Sequence, residues 1–504
     1  MKKTFLVFVL LLAFITPARA ANLKTLRVGL PNDAKSLDPL RAVDTMSFTV
    51  IKHINEPLVT VDGRTKKLVP VLAERWEILD PCTYKFYLKK GVRFHNGEEL
   101  TADDVVYSLK RTLSPESLYA KSKAKAIDPN GFEIIDKYTV IVRTLGPAGG
   151  WLESMKHPYA CIFNRKAMEE AGKDYYRHPI GTGPYKFKKW VKGERIELTA
   201  FDDYHGGKPK SKNLDFYVIA DDSSRVIALE TGKLDMIYEV PSNEYERINS
   251  DGRAKVVMAP GHNLYYLGMN TQKGALKDRR VRMAIEYAIN KEAYIHVVYQ
   301  DKAVQPSGPV VPSSTYTPGQ PKVYPCDPAR AKALLKEAGY PDGLTLNLWV
   351  SSSQHEINGA TVIQSMLANV GIKVNISVME SGVFDDKVRS NDQDLIISTW
   401  GMQTNRDAGQ FWLSLFHSSS IGTTNWTALN DKIVDEGIDL ANSSVDPAVR
   451  KAAFDKVWER LDEVHPFVCL AVPNELYGGR RDLQGMEDFC DGRLNYLGNL
   501  TVEK

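Results

Sequence analysis

Apolar and polar positions fall along the chain in short blocks that predict its elements. Leu26–Leu30 reads as a strand, followed by the turn-rich Pro31-Asn32-Asp33. Tyr84–Leu88 alternates as a half-buried strand, and Gly91 and Asn96-Gly97 mark turns around a second one. Thr101 caps a helix with Val105, Val106 and Leu109 as its apolar stripe; Asp103 and Asp104 at its start and Lys110 and Arg111 at its end complement the dipole. In the second half, Asp327 and Pro328 open a helix that Gly339 and Pro341 stop. An apolar run Leu344–Val350 follows, then a helical stretch Ala360–Asn369 and a break at Gly371. Ile372, Val374, Ile376 and Val378 alternate as a strand, and Asp394–Thr399 supplies another run. This is the cadence of a βαβ unit, so the region is expected to be α/β with a largely parallel sheet. Asp446-Pro447 opens a further helix to about Leu461, and Phe467–Val472 is a further strand. There is no internal repeat, low-complexity tract or long linker, so domains are expected to interleave.

The first twenty residues stand apart. Lys2 and Lys3 precede the apolar run Phe5–Ile15, Pro17 breaks it, and Ala18-Arg19-Ala20 offers small residues for signal peptidase. Eleven apolar residues are well short of the roughly 20 that span a bilayer. The expectation is a cleavable export signal cut after Ala20, a periplasmic protein, and no lipid anchor, since no cysteine follows the run. The chain has 65 basic and 62 acidic residues, and removing Lys2, Lys3 and Arg19 leaves the two equal. That balance gives no overall electrostatic case for nucleic acid or an anionic membrane. The five cysteines, Cys82, Cys161, Cys326, Cys469 and Cys490, are too few and too scattered for a disulfide scaffold, although a pair such as Cys469 and Cys490 could bridge.

Catalytic signatures are missing. No Gly-x-Ser-x-Gly elbow occurs, and His355-Glu356 fails as a zinc-protease motif because Gly359 stands where the second histidine belongs. Gly181-Thr182-Gly183-Pro184 lacks the Lys-Ser/Thr of a phosphate loop, and Pro184 removes a backbone donor. The ten histidines are dispersed, and paired acids such as Asp103-Asp104 and Asp221-Asp222 read as helix starts. Neither metal nor cofactor is expected. A secreted hydrolase stays open as an alternative, because glycosidase carboxylates leave no short signature.

Several segments together resemble the family 5 extracellular solute-binding proteins, the peptide, nickel and oligosaccharide receptors of ABC importers. They are Leu26-Arg-Val-Gly-Leu with Ser36-Leu-Asp-Pro39, Glu56-Pro-Leu58, Leu72-Ala-Glu-Arg-Trp76 and Gly91-Val-Arg-Phe-His-Asn-Gly97. Thr101-Ala-Asp-Asp-Val-Val-Tyr-Ser108, Pro179-Ile-Gly-Thr-Gly-Pro-Tyr185, Leu267-Gly-Met-Asn270 and Asp278-Arg-Arg-Val-Arg-Met-Ala-Ile285 continue in the same order. The resemblance implies an α/β, two-lobed periplasmic-binding-protein fold of the class II type with an extra α/β domain inserted in the first lobe. Lobe I is expected over 21–57, 178–268 and 475–504, the inserted domain over 58–177, and lobe II over 269–474. The implied role is capture of a small molecule or peptide in the interlobe cleft by a monomer, then delivery to the membrane permease subunits of an ABC importer. A ligand can favour closure only by touching both lobes.

The family's ligand contacts map onto Val43, Asp44 and Thr45, onto the surroundings of Trp400-Gly401, and onto about Ser352–Asn358, including His355. Two departures stand out. Peptide receptors of the family usually carry an aspartate three residues after the tryptophan, where this chain has Gln403; and the segment Val350–Asn358 lacks the arginine that dipeptide receptors place near it. Both charge clamps for a short peptide look absent. Either Gln354, His355, Asn358, Trp400, Gln403 and Trp412 form a neutral, stacking site for a sugar, longer peptide or amide-rich solute, or Arg406 and Asp407 act as a displaced charged pair.

Overall fold

The computed structural model describes residues 20–21, 23–120, 126–317, 319, 322–402, 406–490 and 496–503. Three large sheets organise them. The first has seven strands in the order Ala254–Ala259, Glu475–Arg480, Met236–Ile237, Thr25–Leu30, Asn213–Val218, Arg195–Ala200 and Tyr185–Val191. Thr25–Leu30 runs parallel to both its neighbours at the centre of this sheet, and the remaining pairings are antiparallel. Leu26, Val28 and Leu30 are fully buried on one face, packed with Ile51, Ile196 and Phe216.

The second sheet is a four-stranded antiparallel one, Ala73–Asp80, Thr83–Leu88, Thr139–Thr144 and Ile127–Asp136. The helix Ala102–Thr112 lies over it and buries Val105 and Leu109. The sequence pattern places that helix correctly, and Thr101 and Asp104 close a reciprocal capping box at its start. The strand expected between Gly91 and Asn96-Gly97 is reduced to an isolated bridge, Arg93 to Glu99, because the short segment turns back on itself and joins no sheet.

The third sheet has six strands, Ala303–Val304, Phe467–Pro473, Asn263–Met269, Leu395–Gly401, Leu344–Ser351 and Ile372–Met379. Both faces are covered, which explains the unbroken run Leu395, Ile396, Ile397: the first and third enter one core, the second the other. The three strands of the expected βαβ cadence pair in parallel, Leu344–Ser351 lying between its two neighbours, while the other three pairings of the full sheet are antiparallel. The antiparallel members are strands distant in sequence, beyond the reach of a local βαβ cadence. The strand Asn263–Met269, expected in lobe I as far as Gly268, hydrogen-bonds to Leu395–Gly401 and Phe467–Pro473, so the chain leaves the first sheet after Ala259. Cys82, Cys161, Cys326 and Cys469 are free thiols, so the Cys469–Cys490 bridge is not formed.

Candidate ligand-binding cleft

Two adjacent connections join the seven- and six-stranded sheets. Ala254–Ala259 lies antiparallel to Glu475–Arg480, and beyond Pro260-Gly261-His262 the strand Asn263–Met269 lies antiparallel to Phe467–Pro473. The chain returns through Asn474. A Cβ on Gly261 would sit 1.8 Å from the Pro473 carbonyl oxygen, so the close approach of the two connections requires glycine.

Beside these connections lie two adjoining chambers of about 320 and 520 Å³. Both are bounded by Lys52, Lys156, Pro158, His262, Glu475 and Tyr477. The smaller also takes in Lys66, Ser313 and Arg406; the larger takes in Thr45, Glu239, Tyr265, Tyr299 and His355. The walls therefore come from segments on both sides of the crossing.

Local structure aims these side chains. Asp44 caps the helix Thr45–Ile51, its carboxylate accepting from the Ser47 amide at 2.9 Å and the Ser47 hydroxyl at 2.6 Å. Thr45 and, just past the last turn, Lys52 then reach the cleft. The helix Gln354–Ala368 begins two turns earlier than its apolar pattern predicts, because its opening residues are polar. The Glu356 carboxylate accepts from the Ser351 amide at 3.0 Å, fixing that start, and His355 stacks on Tyr299 with centroids 5.6 Å apart. Arg406 is held by its backbone: its carbonyl accepts from the Thr315 amide at 2.9 Å, the Thr315 hydroxyl at 3.1 Å and the Ser314 hydroxyl at 3.3 Å.

Burial sets the electrostatics. It lowers the Lys52 ammonium to about 8. Burial, then the charges of Arg406, Lys156 and Lys66, lowers His262 to about 3, leaving a neutral ring. Burial raises the Glu475 carboxyl despite a 2.5 Å hydrogen bond from the Tyr477 hydroxyl, and it lowers Arg406. The Glu56 carboxylate is saturated by Thr182, Tyr204, His205 and Tyr496 at 2.7–3.0 Å.

Of the residues expected from sequence, Thr45, His355 and Arg406 line the chambers. Val43 is 58% exposed and Asp44 is a helix cap; neither lines a chamber. Trp400 is half-buried, edge-on to Trp426 at 6.3 Å, outside both chambers. Trp412 is fully buried, and its Nε1 donates to the Pro309 carbonyl at 2.7 Å. Asp407 is buried as the cap of the helix Ala408–Phe416 and pairs with Arg450, not with Arg406. Gln403 lies outside the described residues. Gln354 and Asn358 bond to each other at 2.8 Å on an exposed surface. Sequence reasoning missed Lys52, Lys66, Lys156, Glu239, His262, Tyr265, Tyr299, Glu475 and Tyr477, which come from seven separate stretches of chain. The breakers Pro260-Gly261 beside His262 and Pro473-Asn474 beside Glu475 are local signals near two of them.

Comparison with known proteins agrees with this architecture. The family model described as bacterial extracellular solute-binding proteins, family 5 Middle, matches residues 67–422. The chain is 30% identical over 487 residues to the glutathione-binding protein GsiB of Pectobacterium atrosepticum, covering 93% of this chain and 92% of that protein. Among solved structures, DppA of Helicobacter pylori in complex with the peptide STSA aligns with a TM-score of 0.77 at 28% identity, covering 96% and 99% of the two chains. HbpA2 of Haemophilus parasuis aligns at 0.83 and 26% identity, covering 92% and 96%. The chain belongs to the family 5 bacterial extracellular solute-binding proteins, with their two-lobed fold.

Proposed function

We propose that this protein captures a short peptide or peptide-like solute in the two-chambered cleft and delivers it to an ABC importer in the periplasm, after removal of the leader at Ala20. The observation that carries this reading is the placement of the chambers against the two crossings, with walls from both sheets. A solute there touches both sides and so can favour a closed state. The names of the relatives, a glutathione-binding protein and a peptide complex of DppA, support a peptide.

Turnover is disfavoured by the one arrangement in the cleft that resembles a catalytic set. Ser313 Oγ lies 2.8 Å from His262 Nδ1, and His262 Nε2 lies 3.9 Å from Glu475 Oε1. Ser313 is 1% exposed, the ring is too weak a base at neutral pH, and burial drives Glu475 toward its protonated form. Native mass spectrometry of protein purified without refolding tests the reading: a retained peptide is expected. A retained non-peptide solute would overturn the ligand class. Conversion of an added peptide into another product would overturn the transport role.

A further inference from the structure

The cleft is electropositive although the chain is not. Beyond the leader the whole sequence is balanced, yet five basic residues (Lys52, Lys66, Lys156, Lys302 and Arg406) and three acidic ones (Glu56, Glu239 and Glu475) line the chambers. Several of these charges are already committed. Glu56 has four partners, and Lys302 pairs with Glu246 at 3.0 Å.

Arg406 differs from all of them. Its Nε and Nη1 are shut off from water and have no hydrogen-bond partner. Its backbone, by contrast, is fixed by three hydrogen bonds from Ser314 and Thr315, and the next residue is locked as a helix cap. The main chain is thus held rigid while the guanidinium keeps unspent donors at the wall of the smaller chamber. Leaving such a group dry and unpaired is unfavourable, a cost that an arriving anion offsets. A planar guanidinium also suits the two oxygens of a carboxylate. Lys66 and Lys156 line the same chamber and strengthen the field there.

Building on the solute-binding reading, we propose that Arg406 is the anchor for a carboxylate of the solute in the smaller chamber, and that the solute carries net negative charge. The remainder of the solute then extends into the larger chamber, past the stacked Tyr299 and His355.

The test uses two matched pairs of probes. Calorimetry compares the tripeptide Ala-Glu-Ala with its C-terminal amide, and thermal shift compares succinate with succinamide, on the wild type and on Arg406→Gln. Wild type is expected to bind the peptide acid at least about tenfold more tightly than the amide. Arg406→Gln brings the two within about threefold of each other by removing the charged partner. Succinate should raise the melting midpoint more than succinamide only when Arg406 is present. The backbone bonds of residue 406 survive the substitution, and a melting midpoint of the free variant no lower than that of wild type verifies the fold. If neither peptide binds but succinate still discriminates through Arg406, the peptide reading fails and the anchor stands. If no pair discriminates in an Arg406-dependent way, the anchor is overturned.

Discussion

Arg406 and Asp407 are neighbours in sequence, yet they belong to two regions that use buried charge in opposite ways. Behind the cleft, Asp407 caps a helix and pairs with Arg450, whose Nη1 also donates to the Ala441 carbonyl at 2.6 Å. The turn at Gly149–Gly150 packs against this pair: Gly149 donates to the Asn442 carbonyl at 2.7 Å, and a Cβ on Gly150 would lie 2.7 Å from Asp407. Here each charge is saturated, and the pair joins the segment containing the four-stranded sheet to the helices beneath the six-stranded one. In the cleft, Arg406 keeps Nε and Nη1 buried without a hydrogen-bond partner. A charge with its partners in place specifies the fold; one whose partner must come from outside specifies a guest.

The comparison can be broken by experiment. Asp407→Ala should cost about 3–5 kcal/mol of stability, because it strands the Arg450 guanidinium and removes a helix cap. Urea unfolding measures this, and a loss under 1 kcal/mol would mean that the saturated pair is not structural. Trp400→Ala should cost about 1 kcal/mol of stability through its edge contact with Trp426. Solute affinity should change less than twofold, and a large affinity loss would move the cleft outward to include that ring.

Glu153 sharpens the contrast further, since burial, and then the nearby Asp407, hold its carboxyl above the usual range. Such an acid binds its proton more tightly folded than unfolded, so stability falls as pH rises through the unfolded value toward the folded one. Glu153→Gln should therefore be more stable than wild type at pH 7, with the advantage gone near pH 4. Equal unfolding curves at pH 7 would show that Arg450 fully compensates both acids. The least destabilisation is expected for Arg406→Gln, which should leave the solute-free protein at least as stable as wild type, because it removes a buried charge without a partner. A marked destabilisation would return Arg406 to the structural class.

Local pattern was a sound guide wherever an element carries its own signal. The capping box at Thr101, the Asp-Pro starts at residues 327 and 446, and the alternation from Ile372 to Val378 each recur as elements in the structure. The polar first turns of Gln354–Ala368 were invisible because amphipathic periodicity needs apolar residues to register. At the site, family position suggested Thr45, His355 and Arg406, all on chamber walls. It also suggested Trp412, which tertiary packing places in a core with Tyr316 and Phe454.

Charge balance, family and the helices and strands that carry caps, breakers or alternation were legible in the chain read alone, because those signals act over a few residues. Strand direction in the six-stranded sheet, the crossings at Gly261 and Asn474, and the partner of Asp407 were decided only in three dimensions. So was the lack of hydrogen-bond partners at Arg406 Nε and Nη1. A hydrogen bond between strands, and the absence of one around a buried cation, both depend on which distant segments arrive beside it, and no local pattern encodes that.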